Sequence, residues 1–592
     1  MSQTIHFPFP TSSSSSSSLL TPFTSNPSWT LLPIGTKCLA QSKAFVHFQY
    51  QPTIWDARFV ESLKTDYLPK TDMELLMKEK EKQVKGMLKK VSKPLEKLEL
   101  IDVIQSLGIS YLFEEEICKI LENMYHDDDQ KMNDNLYATS LRFRLLRQYG
   151  FHETQDIFDE FRHAKGGFKE SITGNVKGIL SLFEAAHLLS DGESILSEAI
   201  VFTRTHLLDN LSKSNSNINV NMANPIRRSL ETPSHWRVQR SETRLFIEAY
   251  ESHKTMNPLL LKLAKLSFNT AQAQHEMELR RISRWWKSIG ITKNLNFARD
   301  RLVECFVSNI GCCWEPRYER CRIWLTKLLS FALVIDDIYD VYGSLEELEL
   351  FTDAIDRWDC NAMEKLPHYM KICFLALYNT VNEMAFVILR EQQFDILPYL
   401  TKSLSNSVNA MLTEAKWCHK GYIPTFEEYQ RNGSVSSVGF VFLMAAFFAT
   451  NQNINDGVLH AFESNHPLLY SSCLVCRLSN DLATSSAEIR RGEVASSIYC
   501  YMQEKNVSEN DAREHVKGLI MEMWKEMNGF MFESSPFDRS FVDIVLNFSR
   551  TSLFMYQYGD GLGAEHSKSI EHVLSLIVNP IPIDEPTHKN SS

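Results

Sequence analysis

No uninterrupted apolar run in this 592-residue chain is long enough to cross a bilayer. The longest, GFVFLMAAFFA at 439–449, is about half the ~20 residues a spanning helix needs, so no membrane is expected. A stripe of Lys and Arg interleaved with aromatics is also missing. With a net charge of −11, that argues against nucleic acid as a partner. Acid is absent from the first 55 residues, where a serine run, Ser12–Ser18, stands among prolines without a single arginine. Such a composition predicts an organelle transit peptide over about residues 1–45, more plastid-like than mitochondrial, with a disordered tail as the plain alternative. The expected compartment is the plastid stroma. Cysteine pairs at metal spacing are likewise lacking. The one CxxC, Cys473 and Cys476, sits in an apolar helical pattern and reads as core, and the scatter of twelve cysteines suits reduced thiols. No repeat of fixed period is visible, which disfavours a solenoid.

Alternating strand patterns are nearly absent, and what is there instead is helix. EKLELIDVIQSLGISYLFEEEICKILENMY carries apolar residues at three- and four-residue spacing, with Gly108 as a break. ATSLRFRLLRQYG, NVKGILSLFEAAHLL and SILSEAIVFTRTHLLDNL repeat the pattern, each closed by Gly, Asn or Ser clusters. The class is therefore all-α, with helices packed as bundles. The polar stretch SKSNSNINVNMANP, 212–225, marks the best boundary candidate in the first half. A helical domain over 46–240 and a second over 241–592 follow from it.

WLTKLLSFALVI leads from apolar helix directly into DDIYD, 336–340. Carboxylates are costly in such surroundings unless something cationic compensates them. Asp336 and Asp340 are four apart and so share a helix face, while Asp337 points elsewhere, where a basic partner or another part of the site could meet it. Hard oxygens at this spacing suit Mg²⁺ or Mn²⁺, which bind substrate phosphate at the same time. HDDDQ, Asp127–Asp129, is the internal control: no apolar run leads into it, and it reads as solvated loop. Further on, Asn480, Thr484 and Glu488 at i, i+4 and i+8 offer three more oxygen donors, with Arg477 one turn earlier. Arg299 and Arg301 flank Asp300 upstream, and arginine suits multidentate phosphate binding. Two oxygen sets with arginines beside them match a trinuclear magnesium cluster holding a diphosphate.

Taken together, RDR at 299–301, DDIYD, NDLATSSAE at 480–488 and RRGEVASSIYCYM after it resemble the plant class I terpene synthases, of the angiosperm monoterpene type. RWW at 284–286, FTDAIDRWD at 351–359 and MYQYGDG at 555–561 extend the likeness over roughly residues 50–585. The resemblance implies a C-terminal catalytic bundle and an N-terminal, barrel-like helical domain that closes over the site, in a monomer or weak dimer. It also implies a prenyl diphosphate substrate and three Mg²⁺ or Mn²⁺ ions. Asp336 and Asp340 would hold two metals and Asn480, Thr484 and Glu488 a third, while Arg299, Arg301 and Arg477 would take the departing diphosphate. An allyl cation then needs a dry pocket with aromatic faces. Trp285, Trp286, Tyr339, Tyr342 and Phe440 are candidates that read equally as core. Tyr556 with Asp560 is the stronger pair, near the pocket mouth in the family. Gly433 and Gly439 could break a helix beside the pocket and turn backbone dipoles toward the cation.

Two departures from the family pattern bear on the product. Cyclising relatives usually carry tandem arginines eight residues before a tryptophan; here Trp55 is kept, but Phe45 and Val46 precede it. Ser308 stands where relatives usually place a pocket tryptophan. Both favour an acyclic monoterpene from geranyl diphosphate, of the myrcene, ocimene, linalool or geraniol type. A sesquiterpene synthase using farnesyl diphosphate (nerolidol or farnesene type) and a cyclic-product monoterpene synthase are the alternatives. A chain elongase would need a second DDxxD, and a proton-initiated cyclase a DxDD; neither motif is present.

Overall fold

The computed structural model describes residues 51–64, 67, 71–127, 134–213, 220–491, 495–563 and 567–583. The expected transit peptide, Phe45 and Val46, and Asp128 and Asp129 of the acidic run lie outside them. Among the described residues, helices account for nearly all regular structure, and an isolated antiparallel bridge between Arg162 and Phe168 is the one strand-like pairing. The all-α expectation therefore holds.

Local signals set the helix ends. Asn257 accepts from the backbone N–H groups of Leu259 and Leu260, Pro258 follows it, and the helix Pro258–Ile289 ends on Gly290 in the left-handed region at φ 70°. Ser344 with Glu347, and Thr425 with Glu428, form reciprocal capping boxes that start the helices Leu345–Arg357 and Phe426–Ser436. In the helix Glu319–Asp337, Leu325, Leu328, Phe331 and Val334 recur every three residues, joined by Ile335 four after Phe331, and are all buried. That stripe packs on Leu302–Cys312 and on Gly439–Ala449.

The first half stacks Pro94–Ser106, Leu136–Gln148, Val176–Ala186 and Ser194–Lys213 against one another in sequence. The polar stretch 212–225 overlaps the end of the helix Ser194–Lys213 and the first six residues of the helix Val220–Glu231, and its residues 214–219 lie outside the described ones. In the second half Pro467–Arg491 packs on Glu509–Gly529 and Arg539–Tyr556, and Leu397–Lys420 bridges Leu345–Arg357 to Phe426–Ser436. A single apolar cluster runs from Trp55 to Ile581. Buried polar groups stitch the halves: Asn528 Nδ2 donates to the carbonyls of His187 and Leu189 at 3.1 and 2.9 Å, and its Oδ1 lies 2.8 Å from His235 Nε2. The Arg322 guanidinium forks onto Glu278 at 2.8 and 2.7 Å, fixing Glu319–Asp337 to Pro258–Ile289. Buried without that partner, either charge would be strongly destabilising.

Measured as helices rather than as uninterrupted runs, His368–Gln392 and Phe426–Ala449 do reach membrane-spanning length and hydropathy. The second is broken at Val438, and 83 % of its apolar window is buried within the bundle, as the core helix of a packed domain would be.

Candidate active site

The helix carrying Asp336 does not continue as α-helix through DDIYD. It ends at Asp337 and passes into one π turn, Ile338–Tyr342, closed by Gly343 N–H donating to the Ile338 carbonyl at 2.8 Å. The expectation of one α-helical face is corrected accordingly: Asp336 belongs to the last α turn and Asp340 to the π turn. Asp336 is half-buried, Asp340 exposed and Asp337 buried. Arg299 spans the first two acids. Its backbone N–H donates to Asp337 Oδ2 at 2.7 Å, its Nε lies 3.0 Å from Asp337 Oδ1, and its Nη2 donates to Asp336 Oδ2. Burial raises the Asp337 pKa and the Asp336 charge adds to that, against the pull of Arg299. The cationic compensation that the sequence demands is thus supplied from within RDR.

Arg301, two residues on, is placed differently. It is buried, and it donates to the carbonyls of Asp300, Gln51 and Gly563 at 3.0, 2.8 and 3.4 Å. Asp300 accepts from Trp286 Nε1 at 3.1 Å.

Asn480 and Thr484 lie on the unbroken helix Pro467–Arg491, with the Thr484 hydroxyl donating to the Asn480 carbonyl at 3.0 Å. The hydroxyl oxygen keeps lone pairs for a cation. Glu488 belongs to the same helix, and its side chain lies outside the described residues. Arg477 donates from Nε to the Gly433 carbonyl at 3.2 Å, from Nη2 to Ser436 Oγ at 2.8 Å and from Nη1 to Asn480 Oδ1 at 3.4 Å. Burial opposes its charge, but Tyr429, Glu414, Asp481 and Asp336 outweigh burial and hold its pKa well above the ordinary value. Asp336 thus lies within electrostatic reach of Arg477, which links the two motifs.

Glycine acts here through close approach. A Cβ on Gly433 would stand 3.1 Å from Arg477 Cγ, and one on Gly439 would stand 2.7 Å from Cys473 Sγ. The helix break itself falls on neither. Val438 takes it, in the left-handed region at φ 62°, a strained conformation for a β-branched residue. Val438 helps line a small apolar cavity with Ala332, Ile335, Ser407 and Met411, alongside the turn that leads to Asp336.

Tyr556 joins the site. Burial pushes its phenol well above the usual range, with Cys476, Asp560 and Asp336 adding to the effect and Arg299 opposing it. Asp560 forms a turn, accepting from the backbone N–H groups of Leu562 and Gly563 at 3.0 and 2.8 Å. Ser308 is buried in the helix Leu302–Cys312. Of the aromatic candidates, Tyr339 is core, its hydroxyl 2.7 Å from Thr352 Oγ1. Trp285 and Trp286 pack edge-on to Phe331, and Tyr342 stacks flat on Phe297 at 3.8 Å. Phe440 is buried in the helix after the break.

Supporting residues that the sequence does not single out hold these groups. Asp481, beside Asn480, accepts from Tyr429 Oη and Ser497 N–H, both at 2.9 Å. Ser436 donates to Glu414 at 2.7 Å while accepting from Arg477. The one signal available was position: a residue next to a metal-suited oxygen on a helix is turned about 100° away, toward the core.

Adjacent aspartates on one helix with an arginine anchored on them, and an amide, a hydroxyl and a second arginine along another, are the hard-oxygen and guanidinium groups that a diphosphate-handling metal enzyme needs. The metal-binding domain of the terpene synthase family matches residues 287–526, and the terpene synthase N-terminal domain matches residues 54–230. The (−)-α-terpineol synthase of Vitis vinifera is 46 % identical over 536 residues, covering 90 % of each chain. The chloroplastic myrcene synthase of Quercus ilex is 44 % identical over 539 residues, with the same coverage. Among solved structures, isoprene synthase from grey poplar leaves (Populus x canescens), in complex with three Mg²⁺ ions and dimethylallyl-S-thiolodiphosphate, superposes with a TM-score of 0.82 at 42 % identity. That match covers 90 % of this chain and 99 % of the poplar chain. The chain therefore belongs to the terpene synthase family. It is a class I terpene synthase, a lyase with the two-domain all-helical fold.

Proposed function

We propose that this chain is a Mg²⁺-dependent monoterpene synthase of the plastid that ionises geranyl diphosphate and releases mainly an acyclic product. The observation that carries the reading is Arg299 joining Asp336 to the buried Asp337, with Arg477, held on Asn480 and Ser436, within electrostatic reach of Asp336. The donors are all hard oxygens, which fits Mg²⁺ or Mn²⁺; Asp336, Asp340, Asn480, Thr484 and Glu488 would hold three ions. Bound there, the metal supplies Lewis-acid neutralisation of diphosphate charge.

The chain's own residues do the rest. Arg299 and Arg477, each fixed by buried partners, present guanidinium groups to the leaving diphosphate without reorganising. Tyr556, kept neutral as a phenol, offers a ring face near the mouth, where cation–π contact favours an allyl cation. The apolar lining around Val438 keeps water scarce there. Ser308 and Tyr556 are proposed for the hydrocarbon part, whereas Arg301, expected among the diphosphate contacts, has its Nη donors on backbone carbonyls.

Overall identity does not choose the product, because a ring-forming terpineol synthase and an open-chain myrcene synthase are equally similar to this chain. Ser308, Phe45 and Val46 favour the open chain. The domains are proposed at 1–45, 46–240 and 241–592. The test is product analysis of protein lacking residues 1–45, given dimethylallyl, geranyl or farnesyl diphosphate with Mg²⁺, and after chelation. Turnover of geranyl diphosphate to acyclic terpenes, lost on chelation, is expected. Preference for the five- or fifteen-carbon substrate would replace the monoterpene reading, and a dominant ring product would remove the acyclic one.

A further inference from the structure

We propose that Arg301 is a positioning residue: a clasp that ties the segment entering at Gln51 to the turn Gly559–Gly563 beside the site. Arg301 is 3 % exposed, yet among the described residues no carboxylate pairs with it. Its donors go to carbonyls instead, Nη1 to Asp300 at 3.0 Å and Nη2 to both Gln51 and Gly563 at 2.8 and 3.4 Å. The adjacent acid, Asp300, accepts from Trp286. A buried guanidinium is costly even with the Asp300 carboxylate as a nearby counter-charge, so its place in the fold calls for a role. Arg299 has the opposite environment, with two carboxylates of the metal motif around it. RDR therefore splits into one arginine that faces the ligand space and one that joins chain segments.

Both segments are shaped to meet Arg301. Asp560 Oδ1 collects the N–H groups of Leu562 and Gly563, so the turn winds around it and presents the Gly563 carbonyl. Side chains are excluded there: a Cβ on Gly561 would stand 2.5 Å from the Met555 carbonyl, and one on Gly563 would stand 2.0 Å from Asp560 Oδ2. On the other side Thr53 Oγ1 accepts from Trp55 N–H at 3.0 Å, the Trp55 ring packs on Phe59 at 4.8 Å, and Asp56 caps the helix Ala57–Ser62. That helix docks on Pro258–Ile289, where Arg284 binds Glu61 at 2.6 Å. The turn begins just after Tyr556, whose phenol feels the charges of Asp336 and Arg299, so loosening it would admit water to the cation; this consequence rests on the function proposed above.

Hydrogen–deuterium exchange by mass spectrometry tests the clasp without any turnover. In Arg301→Gln, peptides covering 51–63 and 553–563 should both exchange faster by ~10-fold or more, while peptides from Glu319–Asp337 and Pro467–Arg491 stay at the wild-type rate. Gly563→Ala, which leaves Arg301 intact but distorts the turn, should release the 51–63 peptide as well. Arg301→Lys, a point donor in place of a planar fork, should fall between wild type and Gln. Wild-type exchange at 51–63 in both Arg301→Gln and Gly563→Ala would overturn the proposal. So would loss of Mg²⁺–pyrophosphate affinity in Arg301→Gln with exchange unchanged, since that outcome makes Arg301 a diphosphate ligand. With geranyl diphosphate, Arg301→Gln should raise the ratio of alcohol to hydrocarbon product several-fold. An enzyme that rejects geranyl diphosphate would fail that last arm alone and leave the exchange result to decide.

Discussion

At Asp336 the helix gives way to a π turn, whereas at Asn480 it runs unbroken to Arg491, and the two places also differ in what holds them. Behind Asp336 the anchor is an ion pair: the buried Asp337 grips Arg299, which reaches forward to Asp336 itself. Behind Asn480 the anchor is the fold: the buried Asp481 takes a phenol from Tyr429 and a backbone N–H from Ser497. In both motifs the acid just after the first oxygen donor is turned inward and serves as a tether. Four-residue spacing can therefore be delivered by two backbones, provided the neighbouring acid is locked. The first motif is held by a close ion pair and the second by hydrogen bonds with a looser pair, Arg477 to Asp481 at 3.9 Å, and they should break differently.

The largest expected effect is at Asp336. Asp336→Ala should lower turnover by ~10³-fold or more with the melting temperature preserved, because metal contacts made in the transition state are each worth several kcal/mol. Asp128→Ala, in the polar acidic run, is the silent control. Retention of a tenth or more of turnover by the Asp336 variant would reduce that motif to surface acid. Asp337→Ala comes next and separates the two kinds of tether. It leaves Arg299 buried with half its compensation, so a stability loss of ~3–5 kcal/mol in denaturant titration should accompany a large fall in kcat. Asp481→Ala removes two hydrogen bonds and the looser 3.9 Å pair with Arg477, which keeps Glu414 as a counter-charge, and should cost only ~1–3 kcal/mol. Equal losses at the two positions would erase the contrast.

Much of this was legible in the sequence because helical periodicity and motif spacing are local. The all-α class, the two oxygen-ligand sets and the arginine at 477 follow from residues within a few turns of one another. Asp337 was readable as pointing away from Asp336, with a basic partner one of its two possibilities. What escaped depends on distant pairings. Nothing local says that Arg301 meets Gln51 and Gly563 while Arg299, two residues away, meets Asp337. Nor does spacing reveal that the break in the apolar stretch falls on Val438, since glycines at 433 and 439 advertise themselves more strongly. Their role comes from Arg477 and Cys473 passing close by, which is tertiary packing. The π turn was hidden for a related reason, because the i, i+4 pattern of two acids reads as α-helix until the Gly343 N–H is seen to close on Ile338.

A smaller effect sharpens the Asn480 side. Gly433→Ala places a methyl 3.1 Å from Arg477 Cγ, so the arginine must yield by a few tenths of an ångström. The expected outcome is a rise of ~3–10-fold in KM for the diphosphate substrate with a kcat loss of similar size, about 1–3 kcal/mol in kcat/KM. Ser436→Ala, which removes the hydroxyl between Arg477 and Glu414, should act in the same direction. Unchanged kinetics in both variants would mean that Arg477 does not need its present seat.

The smallest effect on rate, and the most informative on chemistry, is expected at Ser308. The residue is buried in Leu302–Cys312, the helix that packs against the one carrying Asp336. Forming a ring requires the cation to survive rotation into its cisoid form. An indole face would lengthen that survival by ~1–2 kcal/mol in a dry site, whereas a hydroxyl gives no such support. Ser308→Trp should therefore raise the cyclic fraction in gas-chromatographic profiles while total turnover changes by less than ~10-fold. The larger side chain carries a packing penalty of ~1–3 kcal/mol, which a melting curve reports separately from the product shift. Ser308→Phe divides the two contributions, having a smaller ring with a weaker face and less strain. A graded rise in ring products from Ser through Phe to Trp supports cation lifetime as the controlling quantity. A profile that stays acyclic in both stable variants would place the control elsewhere, and a wild-type profile already dominated by limonene or pinene would discard the acyclic reading while leaving both metal motifs intact.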